Sequence, residues 1–169
     1  MSKITIVNRQ IAFLSFLTKI AVVVLGFGLL ISRYQAVSLL IQSEDLVLTQ
    51  SLFWLSLLSP LYWIELIAPM CLLTALFHAA IVFDRLAIGQ GFSPCMIKGL
   101  KEIGSNLTFA SVAVLVIQPT LILWVKMSQF KGPHFTLDLT FVTIGMIGMV
   151  LYFLAIEGEK AQNELSGIV

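Results

Sequence analysis

The sequence predicts an all-α integral membrane protein with four transmembrane helices and a short cytoplasmic interfacial helix between the second and third. Three observations carry that prediction. Hydrophobic residues make up 59% of the 169 positions and charged residues only 11%. A soluble domain carries about a quarter charged residues, so most of this chain's surface must face lipid. Four apolar runs are each long enough to cross a bilayer, and one sizeable polar island, residues 85–104, divides them into two pairs.

The first span is placed at 11–32, about 33 Å of helix, closed by Arg33 and Tyr34 as a charge and an amphipathic ring at a lipid–water boundary. Residues 35–50 hold Gln42, Ser43, Glu44 and Asp45 among leucines and read as an exposed connection with helical character. The apolar run 52–83 would be about 48 Å as one helix, too long for a simple crossing. Ser59 can cap and Pro60 can open a fresh helix, so the second span is placed at 61–83. Phe53, Trp54, Tyr62 and Trp63 would form its aromatic belt, and Pro69 should bend it by removing a hydrogen bond.

In the polar island, Ser93 is expected to cap a helix opening with Pro94. Met96, Leu100 and Ile103 fall on one face of that helix, and Lys98, Lys101 and Glu102 point elsewhere. This segment is read as the interfacial helix. The third span is placed at 106–127, with Gln118-Pro119 inside it. The fourth is placed at 136–156, where Thr136 can cap and Asp138 can meet the positive end of the helix dipole. A polar tail follows, and residues 1–169 read as a single domain. Lys3 and Arg9 precede the first run as in a signal peptide. That run is longer than a signal core and lacks a convincing cleavage site, so it is expected to be retained.

Lysines and arginines set the orientation. Lys3, Arg9, Arg85, Lys98, Lys101 and Lys160 fall on one side, and Arg33, Lys126 and Lys131 on the other. The positive-inside rule then places both termini and the polar island in the cytoplasm. A net charge of +1 points away from direct nucleic-acid binding. Cys71 and Cys95 form neither a CxxC pair nor a disulfide framework and read as small apolar residues.

Intramembrane polar groups often mark function, and Lys19, Glu65, His78 and Gln118 are the candidates here. Counting helical rise, Lys19 lies about 12 Å from the inner end of the first span and His78 about 8 Å from the inner end of the second. Glu65 lies about 27 Å from that second end, so no Lys19–Glu65 ion pair is expected. Lys19 either snorkels to the inner headgroups or joins His78 and Asp84 or Glu157 in an inner polar cluster. Glu65 sits either at the wet outer boundary or in a cavity. The Gln118 amide can bond the carbonyl that Pro119 leaves free or reach a neighbouring helix. Ala75 with Ala79, and Gly145 with Gly148, offer close-approach surfaces, within the chain or between copies.

Arg85-Leu86, Gly91-Phe92-Ser93-Pro94 and the stretch from Ile97 to Ile103-Gly104 resemble a bacterial membrane family, the YoaS-like proteins (domain of unknown function, family 2975). The closing segment from Leu154-Ala155-Ile156-Glu157-Gly158 to Asn163-Glu164-Leu165 is similar to that family's end. Cys95 and Met96 stand where the family implies more polar residues. The resemblance implies four helices in a bacterial inner membrane and supplies no catalytic residues. It also implies, for some members, a place beside small helix-turn-helix regulators.

No HExxH helix, GxSxG elbow, CxxC pair or phosphate-cradling glycine loop occurs, so no catalytic, cofactor-binding or metal residue is assigned. The function expected is that of a non-enzymatic membrane module sensing or binding a protein or lipid partner. The alternative is a small oligomeric transporter or channel using Glu65 and Gln118 in a polar cavity. The partners implied are the bilayer, a second copy, or a membrane or cytoplasmic protein. Gly91, Phe92, Ser93 and Pro94 form the connector motif.

Overall fold

The computed structural model describes residues 3–42, 60–89, 93–127, 133 and 135–166, with the side chains of all of these except 3–7, 33–42, 61, 126–127 and 165–166. The elements are α1 (Lys3–Gln42), α2 (Pro60–Ala87), α3 (Pro94–Val112), α4 (Gln118–Met127) and α5 (Leu139–Ser166). A π-helical turn, Ala113–Ile117, joins α3 to α4 without a break. Among the described residues four stretches are long and apolar enough to cross a membrane: Asn8–Ser32, Tyr62–Ala87, Pro94–Val125 and Leu139–Glu164. The described residues are therefore all-α, with four helical stretches consistent with membrane spans.

The segment between the second and third spans differs from expectation. Residues 94–104 are not a separate helix but the opening turns of α3, continuous with the third span. The physical reason lies in the two glycines of that segment, which are packing positions rather than breaks. A Cβ on Gly99 would lie 2.5 Å from Val82 of α2, and one on Gly104 would lie 2.6 Å from the Gly148 carbonyl of α5. Close helix approach in lipid offsets the roughly 1 kcal/mol that glycine costs a helix.

Ser93 starts α3 with extended backbone, φ −88° and ψ 155°, and Pro94 follows at the first helical position. Its hydroxyl does not cap, contrary to expectation. The N–H of Met96, which a serine cap would receive, donates instead to the Ser93 carbonyl at 2.9 Å. Ser93 Oγ is buried with no hydrogen-bond partner among the described residues. Gly91 and Phe92 of the connector motif lie outside the described residues, as do Phe53, Trp54, Glu44, Ser59 and His134.

Three helices run further than the spans placed from sequence. α1 continues through Gln42, α2 to Ala87, and α5 to Ser166, so the polar tail after residue 156 is largely helical. The capping of α5 falls to Asp138, whose Oδ1 accepts the Thr140 N–H at 2.9 Å. Thr136 has a different task, described below.

The helices lie side by side in the order α1, α2, α3, α5. Among the described residues α1 meets only α2, and α5 meets only α3 and the π turn. The two outer helices do not close on each other, so the four spans form an open row. α1 accordingly shows lipid a nearly unbroken apolar surface, including Phe13, Phe16, Val24 and Phe27. Gly145 and Gly148 serve packing within the chain: added Cβ atoms would meet Ser111 Oγ at 2.5 Å and the Thr108 N at 2.7 Å.

Candidate functional site

Lys19, Ser15 and Asp84 meet where α1 and α2 pack. Lys19 Nζ stands 2.5 Å from Asp84 Oδ2, and Ser15 Oγ stands 2.5 Å from Asp84 Oδ1 and 3.1 Å from the Ala80 carbonyl. Ser15 is fully buried, whereas the Lys19 and Asp84 side chains are 47% and 41% exposed. The ammonium and hydroxyl thus satisfy both carboxylate oxygens. Lipid supplies no hydrophobic drive between helices, so this cluster adds to the packing that fastens α1 to α2, its one neighbouring element among the described residues. Of the expected inner cluster, Lys19 and Asp84 come together. Glu157 instead pairs with Lys160 at 2.6 Å, and half-buried His78 lies edge-on to the Phe77 ring, with centroids 6.0 Å apart. Ser15 was missed in the sequence. The signal was its position one turn before Lys19, on the same helix face.

Toward the opposite end of the spans, two prolines leave carbonyls without donors. Pro69 cannot donate to Glu65, four residues earlier. Gln118 of α4 fills the gap, its Nε2 lying 3.2 Å from the Glu65 carbonyl and 3.2 Å from that of Ile64. Gln118 therefore reaches the neighbouring helix. Pro119 likewise has no N–H for Leu115, four back, or Val114, five back. The Gln118 N–H donates to Ala113, closing the π turn. Thr136 then supplies both orphan carbonyls, its N–H donating to Leu115 at 3.0 Å and its hydroxyl to Val114 at 3.1 Å. Glu65 and Gln118 are thus brought together through the α2 main chain.

The third feature is a groove of about 610 Å³ between the start of α3 and the end of α5. Lys98, Lys101 and Glu102 line it from α3, and Glu159, Gln162 and Asn163 from α5. Lys101 lies 3.6 Å from Glu159 and 6.0 Å from the centroid of the Tyr152 ring. Lys98, on the exposed surface, and half-buried Glu102 have no ion-pair partner among the described residues. The charges are accessible, of both signs, and held on two helices locked together by Gly104 and Gly148. Such a surface can recognise a ligand that carries both charges. No three His, Cys, Asp or Glu among the described residues gather closely enough to hold a metal ion.

No family model matches the chain, and neither a curated protein nor a solved structure matches it.

Proposed function

We propose that the chain is a non-enzymatic membrane module that binds a partner at the α3–α5 groove. The groove and both termini are placed on the cytoplasmic side of a bacterial inner membrane. One contrast carries this reading. Lys19, Ser15 and Asp84 satisfy one another, and Gln118 and Thr136 serve main-chain carbonyls that prolines leave free. Lys98 and Glu102, in contrast, stand in an accessible groove without ion-pair partners among the described residues. Polar groups spent on fastening helices support a scaffold, and polar groups left at a rigid groove support recognition. The six-to-three distribution of basic residues supports the orientation.

The test is ion flux in proteoliposomes beside photo-crosslinking from position 98 in native membranes. The expected result is proton and potassium flux at the level of empty vesicles, no change for Glu65→Gln, and a discrete cross-linked species from position 98. A proton flux well above background, lost in Glu65→Gln with normal expression, would overturn the module reading. It would establish the transporter or channel built on Glu65 and Gln118.

A further inference from the structure

The groove does not end at the lysines. On α3, residues 98, 101, 105, 108 and 112 recur at helical spacing and share one face. Below the charged groove that face continues into an apolar crevice of about 360 Å³, lined by Thr108, Phe109, Val112, Met149, Tyr152 and Phe153. Tyr152 joins the two parts, because Lys101 lies over its ring. From Lys98 to Val112 the seam is about 21 Å long, against a half-thickness of about 15 Å for the hydrocarbon core. It thus spans one leaflet, with headgroup depth to spare.

The charges are layered along this seam. Gly104 packs on Gly148 and Tyr152, and Ile97 lies beside Gly158. Glu159, Gln162 and Asn163 are therefore farther from the crevice than Lys101 is. Moving outward from the crevice, a ligand meets aromatic and aliphatic side chains, then two lysines, then a carboxylate and two amides. Glu102 sits beside the lysines, so two cations face two anions and the groove has no net formal charge.

We propose that this seam binds one zwitterionic, amine-bearing phospholipid of the phosphatidylethanolamine type. One acyl chain lies in the Phe109–Phe153 crevice, the phosphate sits between Lys98 and Lys101, and the primary ammonium reaches Glu159. Lysines between spanning helices take lipid phosphates, and here two carboxylates beside them add a place for a cation. The balanced charge selects against a purely anionic headgroup, which would meet Glu102 and Glu159 without a cation of its own to offer them. A choline headgroup carries the charge but has no N–H to donate to the carboxylate. This inference rests on the groove being the binding surface proposed above and names its ligand.

The full chain would be purified from mixed micelles holding equal amounts of palmitoyl-oleoyl phosphatidylethanolamine, phosphatidylcholine and phosphatidylglycerol, and retained lipid counted by mass spectrometry. Phosphatidylethanolamine is expected to be enriched over both others. Replacing Lys98 or Lys101 by Ala should lower its retention about fivefold per lysine, the effect typical of one basic residue near a membrane surface. Glu159→Gln should abolish the preference for ethanolamine over choline while phospholipid is still retained. Val112→Trp, which fills the crevice without touching the charges, should lower retention of all three, a check independent of the lysine variants. Equal retention of the three lipids, preference for phosphatidylglycerol, or no change in the lysine variants would overturn the proposal. Measuring flux on the same preparations separates the two readings. Unselective retention without flux sinks this inference alone, whereas flux that depends on Glu65 sinks the module reading whatever lipid is bound.

Discussion

Pro69 and Pro119 each remove a donor from a helix, and the two gaps are closed by residues far away in the chain. Gln118 donates to the Glu65 carbonyl that Pro69 leaves, and Thr136 donates to the Leu115 carbonyl that Pro119 leaves. Gln118→Leu should therefore destabilise the chain by about 1 kcal/mol, because an interhelical bond is lost and a carbonyl is orphaned in lipid. Pro69→Ala in that background should recover part of the loss, because an alanine at this position brings back an N–H for the Glu65 carbonyl. Unfolding equilibria in micelles would show this as coupling between the two sites, and strictly additive losses would contradict the assignment. The Lys19–Asp84 pair makes a second test at this scale. Its side chains are 47% and 41% exposed, so solvent screens it. A double-mutant cycle with Lys19→Met and Asp84→Leu should give a coupling of about 0.5–1 kcal/mol. Disulfide trapping of α1 on α2 should slow in each single variant, and a coupling indistinguishable from zero would remove the pair from the α1 fastening.

At the scale of the element, α3 and α5 meet backbone to backbone where Gly104 faces Gly148. A Cβ on Gly148 would stand 2.7 Å from the Thr108 N and 2.8 Å from the Gly104 carbonyl, whereas one on Gly28 of α1 meets nothing within 4 Å. Main chain cannot swing aside as a side chain can, so Gly148→Ala must push the helices apart. A loss of about 1–3 kcal/mol is expected, the usual range for overpacking. Gly28→Ala should cost nothing and gain up to about 1 kcal/mol, because the added methyl touches no neighbour and alanine is the better helix former. Comparable gains at both positions would mean that helix propensity, not close packing, decides the outcome. The same close approach explains why α3 runs unbroken from Pro94. Its glycines at 99 and 104 are the places where α2 and α5 press against it.

At the scale of the whole molecule, the open row α1–α2–α3–α5 places the N-terminal half of α1, the end of α2, the start of α3 and the end of α5 at one end. Lys19, Asp84, Lys98 and Glu159 all lie toward that end. The expected orientation puts it in the cytoplasm. Single cysteines introduced on a background without Cys71 and Cys95 test this by impermeant-reagent labelling of intact spheroplasts. A cysteine at Lys98 or Lys160 should be protected until the membrane is opened, and one at Leu137 should label at once. External labelling at position 98 would invert the topology and move the groove to the other face.

The amino-acid sequence by itself determined the fold class, the four spans and the end of the molecule at which basic charge collects. These follow from hydropathy over about twenty consecutive residues and from lysine and arginine placement, which are local quantities. It also marked Lys19, Gln118, Pro69 and Pro119 as residues whose polarity or missing donor needs a partner. Which partner each finds was decided only by the tertiary structure. Ser15 and Asp84 are 69 residues apart and Gln118 and Glu65 are 53 apart, and nothing local encodes those meetings. Whether Ser93 caps, and whether a glycine breaks a helix or admits another, was settled in the same way. A donorless carbonyl or a glycine weakens its own helix until a second helix arrives, and in lipid, where burial alone does not drive helices together, those few polar and close-packed contacts select the arrangement.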